Sequence, residues 1–441
     1  MRAAVCAGLT VILGLTLDVP LRAETYTLAE SPAEGDHLRV AIETNLTGVL
    51  KVTREGKSVP VKIAAKNEHA FVERVLAADR DVTRRALRYY SSAVSRATVD
   101  GEAVVRTLGV ERRLIVAQRT GGAVLCYSPA GPLTRSELEV VSEHFETLHL
   151  AGLLPGRAIA VGDTWKLSAV VAQSLCLLDG LIALDLSGKL EAVDGQVATI
   201  RLAGTAKGIE NGALANLTID ATIRFDLTKK RIAAVEWKQK DVRDQGPVTP
   251  GAEVETTTRL KRDFLDATPV EFGAQVLARV PDGDEPPARM RQLVHRDPKG
   301  RYQLLHDRDW HFVGQTDHHL VMRLLDRGDF VAQLTIAWWS DAAAGKHITP
   351  EEFEKLIAST RGWKAEEVTD RGEVPTDADR WVYRVAARGE LDGATAVQSF
   401  YAVAGARGEQ VIATFTMKPI NAARLGTRDV AIVNAIDFPK K

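Results

Sequence analysis

From residue 46 to residue 237 the apolar side chains recur largely at every second position, in runs broken by turn-forming dipeptides. That period suits strands with one buried face and is wrong for helices. Glu55-Gly56, Asp100-Gly101 and Asp194-Gly195 mark the turns. Val59, Val61 and Ile63 fall on one strand face and Lys62 on the other, while Ala198, Ile200 and Leu202 alternate with Val197, Thr199 and Arg201. The segments starting at Leu46 and at Leu186 match closely enough to predict two similar hairpins in an antiparallel sheet. A duplication would explain the match, and so would the general likeness of meandering hairpins. A further hairpin is expected where Ala221, Ile223 and Phe225 lead through Thr228, Lys229 and Lys230 into the run from Ile232 to Trp237.

Helices interrupt this pattern at few places. Thr134 with Glu137 forms a capping box, and Leu138, Val141, Phe145 and Leu148 continue as one apolar stripe until Gly152 and Pro155 stop it. A second helix is expected over 169–178. Beyond Arg291 the alternation returns in Phe330, Ala332, Leu334, Ile336 and Trp338, in Trp381, Tyr383 and Val385, and in Val411, Ala413, Phe415 and Met417. Thr349, Pro350 and Glu352 supply an N-cap, an N1 proline and a capping-box partner to a helix bearing Phe353, Leu356 and Ile357. A last helix is expected over 421–436.

The segment PDGDEPP at 281–287 has no apolar period and reads as a solvated linker. Its acids lack the regular spacing and distal Glu of a calcium loop. The expected class is therefore α+β. A β-rich antiparallel N-terminal domain with one long helix (24–280) would be joined by a linker (281–290) to an α/β/α-layered antiparallel-sheet domain (291–441). Residues 268–280, with Val270, Phe272, Val276 and Leu277, are expected to pack back onto the first domain.

The first 23 residues combine a basic start (Met1, Arg2), an apolar run from Ala3 to Leu17, a break at Asp18 and Pro20, and a small residue, Ala23, before a polar stretch. This is the pattern of a cleaved secretory signal, with Glu24 as the expected first mature residue and a periplasmic or secreted location. No later run is long and apolar enough to span a bilayer, since 169–186 is interrupted by Gln173, Asp179 and Asp185. A net charge of −1 gives no electrostatic case for nucleic acid or acidic lipid as a partner. Cys126 and Cys176 survive cleavage and could be bonded or be separate buried thiols; no CxxC pair is present.

GxSxG, HExxH, GxxxxGK[ST] and GxGxxG are all absent, so no cofactor is expected and no catalytic residue stands out. Six of the ten histidines fall between His295 and His347, near Asp307, Asp309 and Asp317. His306, His311 and His318 are the candidate metal ligands among them, although none of these spacings orients a pair on a helix. Loop and strand-edge positions are the simpler account. His144 and His149 sit five apart on the expected long helix, as surface or boundary residues. Trp338 fits an inward strand face, which leaves Trp339 on the other, either as core or as an aromatic anchor for a partner.

The opening YQLLHDRDW (302–310) and the closing VAIVNAIDF (430–438), around that order of elements, resemble the PsbP-like fold over about 140 residues. The resemblance implies a binding or assembly factor without catalysis. LTRSELEVV from Leu133 and LLPGRAIAVGDTWKLS from Leu153 resemble exported proteins of planctomycete-type bacteria. Together these point to an exported, non-catalytic envelope protein that binds a protein partner or small-molecule ligand. The alternative is a metal-binding protein or metal-dependent enzyme using the C-terminal histidines.

Overall fold

The computed structural model describes residues 24–54, 56–79, 82–120, 123–142, 145–376 and 379–439. The expected signal segment, Glu55 of the first turn and His144 lie outside the described residues.

The N-terminal half contains strands β1 (Thr25–Leu28), β2 (His37–Arg54), β3 (Lys57–Asp79), β4 (Val82–Val99), β5 (Glu102–Thr107), β6 (Leu114–Thr120) and β7 (Ala123–Tyr127). Helix α1 (Arg135–Ser142), a 3-10 segment (Thr147–Leu153), β8 (Arg157–Ala160), β9 (Thr164–Lys166) and α2 (Ala169–Leu175) follow. Five long strands then run on: β10 (Gly180–Asp194), β11 (Val197–Glu210), β12 (Ala213–Asp226), β13 (Arg231–Arg243) and β14 (Gly251–Leu265). They form one antiparallel sheet in the order β7-β6-β4-β3-β2-β14-β13-β12-β11-β10-β9, with β5 beside β4. Two meanders, one winding away from β2 and one winding back to β14, meet where β2 pairs with β14. The expected hairpins are β2/β3, β10/β11 and β12/β13, and the alternation buries Ala198, Ile200 and Leu202.

One apolar core joins both meanders. Ile42, Phe71 and Tyr90 from the first meander and Ile200, Ile223 and Trp237 from the second pack with Val141, Leu148, Val171 and Leu175. The helices therefore fill the inside of a sheet that bends around them. On the outer face, Phe272, Val276, Leu277 and Val280 cover Leu87, Leu114, Val116 and Tyr127, as expected for 268–280, while Val270 stays exposed.

The C-terminal half begins after two short helices, α3 (Ala274–Leu277) and α4 (Ala288–Arg291). Strands β15 (Leu293–Arg296) and β16 (Gln303–His306) pair with a terminal β24 (Ile436–Asp437). Strands β17 (Trp310–Gln315), β18 (His319–Asp326), β19 (Asp329–Trp339), β20 (Trp363–Glu373), β21 (Arg380–Leu391), β22 (Ala394–Gly405) and β23 (Gln410–Met417) make a second large sheet. Helix α5 (Pro350–Ala358), with its capping box intact, packs Phe353 and Ile357 on one face of that sheet. Short α6 (Ala422–Leu425) and α7 (Arg428–Asn434) lie on the other, together with β16 and β24.

The α+β class with an α/β/α-layered C-terminal domain is overturned by this arrangement. The chain is mostly antiparallel strand, 59% against 15% helix, in several sheets. The apolar stripes that suggested long helices are interrupted in both halves. Helix α1 is described as far as Ser142, and Glu146 beyond it is extended, with its carboxylate paired to buried Arg88. The closing helix is broken at Gly426, whose φ of 60° ends α6.

The two halves touch. In 281–287, read as a solvated linker, Asp282, Gly283, Asp284, Glu285 and Pro287 are exposed and Pro286 is buried. Arg85 donates to the carbonyls of Pro281 (2.6 Å) and Gly283 (2.9 Å), and Gln118 to that of Asp284. A proline-rich segment keeps all its carbonyl acceptors, and buried donors satisfy them. Arg135 caps the carbonyls of Arg308 and Trp310, Arg308 returns a bond to the Cys126 carbonyl at 2.7 Å, and Leu293 joins the N-terminal core.

Candidate functional site

Strands β7 and β11 are eight strands apart along the sheet, about 38 Å if it were flat. Yet Val124 of β7 and Glu210 of β11 line the same half-open cavity of about 500 Å³, bounded by the bent sheet and by the chain around α2. Register explains its wall. Thr44 of β2 stands opposite Thr258 of β14, which stands opposite Trp237 of β13, and the two threonine hydroxyls share a hydrogen bond of 3.0 Å. Two residues further on, Leu46, Thr256 and Gln239 make the next row. Gly48, Val254 and Asp241 make the third, with Ile63 of β3 beside Gly48. Because side chains alternate, the side chains in these rows share the inward face.

The cavity is two-toned. Leu46, Leu50, Ile63, Phe145, Leu175 and Trp237 form its apolar body. The Phe145 and Trp237 rings meet at 5.2 Å, and the Trp237 indole N–H donates to Gln239 Oε1 at 3.1 Å. On its β11 and β13 side stand Glu210, Asp241 and Arg243, with Asp179 beside them. Arg243 pairs with Glu210 through Nη1, and Asp179 accepts the Asn211 N–H at 2.6 Å. Asp241 is 8% exposed, and its buried Oδ1 has no hydrogen-bond partner. Burial pushes Glu210 up to about 7 against the pull of Arg243, and raises Asp241 above the usual carboxylate range for the same reason. The neighbouring Cys176 is a free buried thiol that burial pushes up to about 12. Cys126 is also free and buried.

His149, expected at a surface or boundary, is instead 1% exposed in the 3-10 segment, with Nδ1 2.8 Å from Ser174 Oγ on the cavity wall. Once the chain leaves the helical path before Glu146, this stretch tucks under the sheet.

The other candidates lie in the C-terminal half. His306 is buried with Nδ1 2.8 Å from the Asp307 carbonyl, His311 is half-buried on β17, and His318 is exposed in the turn before β18. Burial holds His306 and His311 down at about 4, and the positive charge of Arg135 acts on both in the same direction. Among the described residues no group of three or more His, Cys, Asp or Glu is placed to hold a metal ion. Trp338 packs against the core under Arg301, whose guanidinium sits 5.1 Å from the ring, and Trp339 is half-buried on β19.

The sequence pointed to none of Glu210, Asp241 and Arg243. The signal that could have found them is the polar set at 239, 241 and 243, in phase with buried Trp237 and therefore on an inward face.

No protein-family model and no curated protein matches the chain, so the resemblance to planctomycete-type exported proteins gains no support. Among solved structures the chain is similar to PsbP (CyanoP) from Synechocystis sp. PCC 6803, at 13% identity over 34% of this chain and 93% of that one, with a TM-score of 0.26. It is similar to a protein of Bacteroides thetaiotaomicron VPI-5482 at 9% identity over 34% of this chain and 50% of that one, also at 0.26. The translocator domain of the autotransporter NalP from Neisseria meningitidis aligns over 86% of this chain and 87% of that one, at 9% identity and a TM-score of 0.14. Likenesses this low decide neither fold nor function. Among the described residues no helix is long and apolar enough to cross a membrane.

Proposed function

We propose that this is an exported binding protein of the cell envelope whose N-terminal sheet holds a small amphipathic molecule. The observation that carries this reading is the two-toned cavity of about 500 Å³, apolar along Leu46, Ile63 and Trp237 and polar at Asp241 and Glu210. A concave, mainly apolar site with a few convergent polar groups is the usual form of a small-molecule pocket. Export rests on the basic, apolar and small-residue pattern of residues 1–23.

Uptake of the neutral apolar dye N-phenyl-1-naphthylamine tests the binding. The dye should brighten with wild-type protein and be displaced by dodecanol. Leu46→Trp, at a half-buried wall position, should fill the cavity and abolish the brightening while keeping a cooperative thermal transition. Equal dye uptake by the folded variant, or none by the wild type, would count against the proposal.

A further inference from the structure

We propose that the polar side of the cavity selects a cationic head group, so that the ligand is an alkylammonium-type amphipath rather than a fatty acid. This rests on the cavity being a ligand site and adds the chemistry that chooses the ligand. Asp241 is the deciding residue. It is more than nine-tenths buried, it lines the cavity, and its Oδ1 accepts no hydrogen bond. A carboxylate oxygen left in that state carries a desolvation cost that a bound donor would remove.

The surroundings favour a charged donor. Three carboxylates, Asp179, Glu210 and Asp241, face one guanidinium, that of Arg243, and Arg243 is already committed to Glu210. Glu146 also borders the cavity, but it is spent on Arg88. Asn67, on the β3 wall, presents a second unpartnered acceptor in its Oδ1. The opposing feature is Arg243 Nε, a buried donor without a partner, which an anionic head could take. An anion there would stand beside Asp179, Glu210 and Asp241 with a single cation, already paired to Glu210, to hold it. An ammonium head instead reaches Asp241 with a charge-assisted bond and places its chain along Trp237, Leu46 and Ile63.

The test is competition for bound N-phenyl-1-naphthylamine at neutral pH by dodecylamine, dodecanol and dodecanoate, using wild-type protein and Asp241→Asn. The amine should displace the dye at about tenfold lower concentration than either other chain, which corresponds to one charge-assisted contact. In Asp241→Asn that advantage should fall to near parity with dodecanol measured on the same variant. Asp241→Ser serves as the second variant if the first loses its cooperative thermal transition. Preference for dodecanoate would make Arg243 the head-group reader and overturn the inference. So would equal displacement by all three, or an amine preference that survives both variants; in each of these cases the cavity still binds. No dye uptake at all would instead overturn the cavity reading on which the inference stands.

Discussion

Arg88 Nε donates to Glu73 Oε2 at 2.8 Å between residues directly opposite on β4 and β3, and neither side chain reaches solvent to any extent. The same guanidinium bonds Glu146, and Thr147 Oγ1 accepts from Arg88 at 2.8 Å while donating to Glu73 at 2.6 Å. Burial works against the charge on Arg88, but Glu146 and Glu73 outweigh it and raise its pKa. This network ties the 3-10 segment to the sheet and so sets one boundary of the cavity.

Removing a single member leaves the others buried and unpaired. Arg88→Met should therefore lower stability by about 3–5 kcal/mol. The triple change of Arg88, Glu73 and Glu146 to apolar residues should cost less than the single one. Urea unfolding at neutral pH measures both, and a single-variant loss under about 1 kcal/mol would contradict this account of the network.

Acid should weaken the fold through its buried imidazoles. Burial, helped by the charge of Arg119, holds His149 at about 4 against an ordinary 6.5. A lowered folded-state pKa gives stability that is complete above 6.5 and is lost as pH falls towards 4. Between pH 7 and pH 5, His149 should account for about 2 kcal/mol of that loss. The stability difference between the two pH values should shrink by that amount in His149→Gln. An unchanged difference would place the proton elsewhere, with His69, His306 and His311 the remaining imidazoles held near 4.

The contact between the halves at the rim of the sheet can be tested at one glycine. Gly212 has a φ of +77°, and a Cβ there would stand 2.3 Å from the Gly328 carbonyl oxygen in the β18/β19 turn. Gly212→Ala should cost about 1–3 kcal/mol from backbone strain and the clash together. Amide exchange should quicken at residues 326–329 and stay slow in the central strands β2 and β14. No change at 326–329 would mean that the halves are not docked there in solution.

Local features of the fold were legible because their causes are local. Thr134 with Glu137 and Thr349 with Glu352 cap their helices as read, and the turn after Asp194 closes a hairpin. What sequence order hides is the pairing of β2 with β14, which brings Thr44 to Thr258 across 214 residues. The cavity depends on that seam. Gln239, Asp241 and Arg243 would be an ordinary solvated strand face in a flat sheet, and become interior only when the sheet bends round Phe145 and Leu175. The long-helix expectation failed for a related reason. Phe145 and Leu148 keep helical spacing, but Glu146 between them is extended and paired to a buried arginine on a distant strand.

The most direct test of the central claim is a crystal structure of the protein grown with dodecanol. The account predicts one alkyl chain per molecule between Leu46, Ile63 and Trp237, with its oxygen on the Asp241 side. A cavity holding only water, with the alkyl chain absent or on the outer face of the sheet, would contradict it.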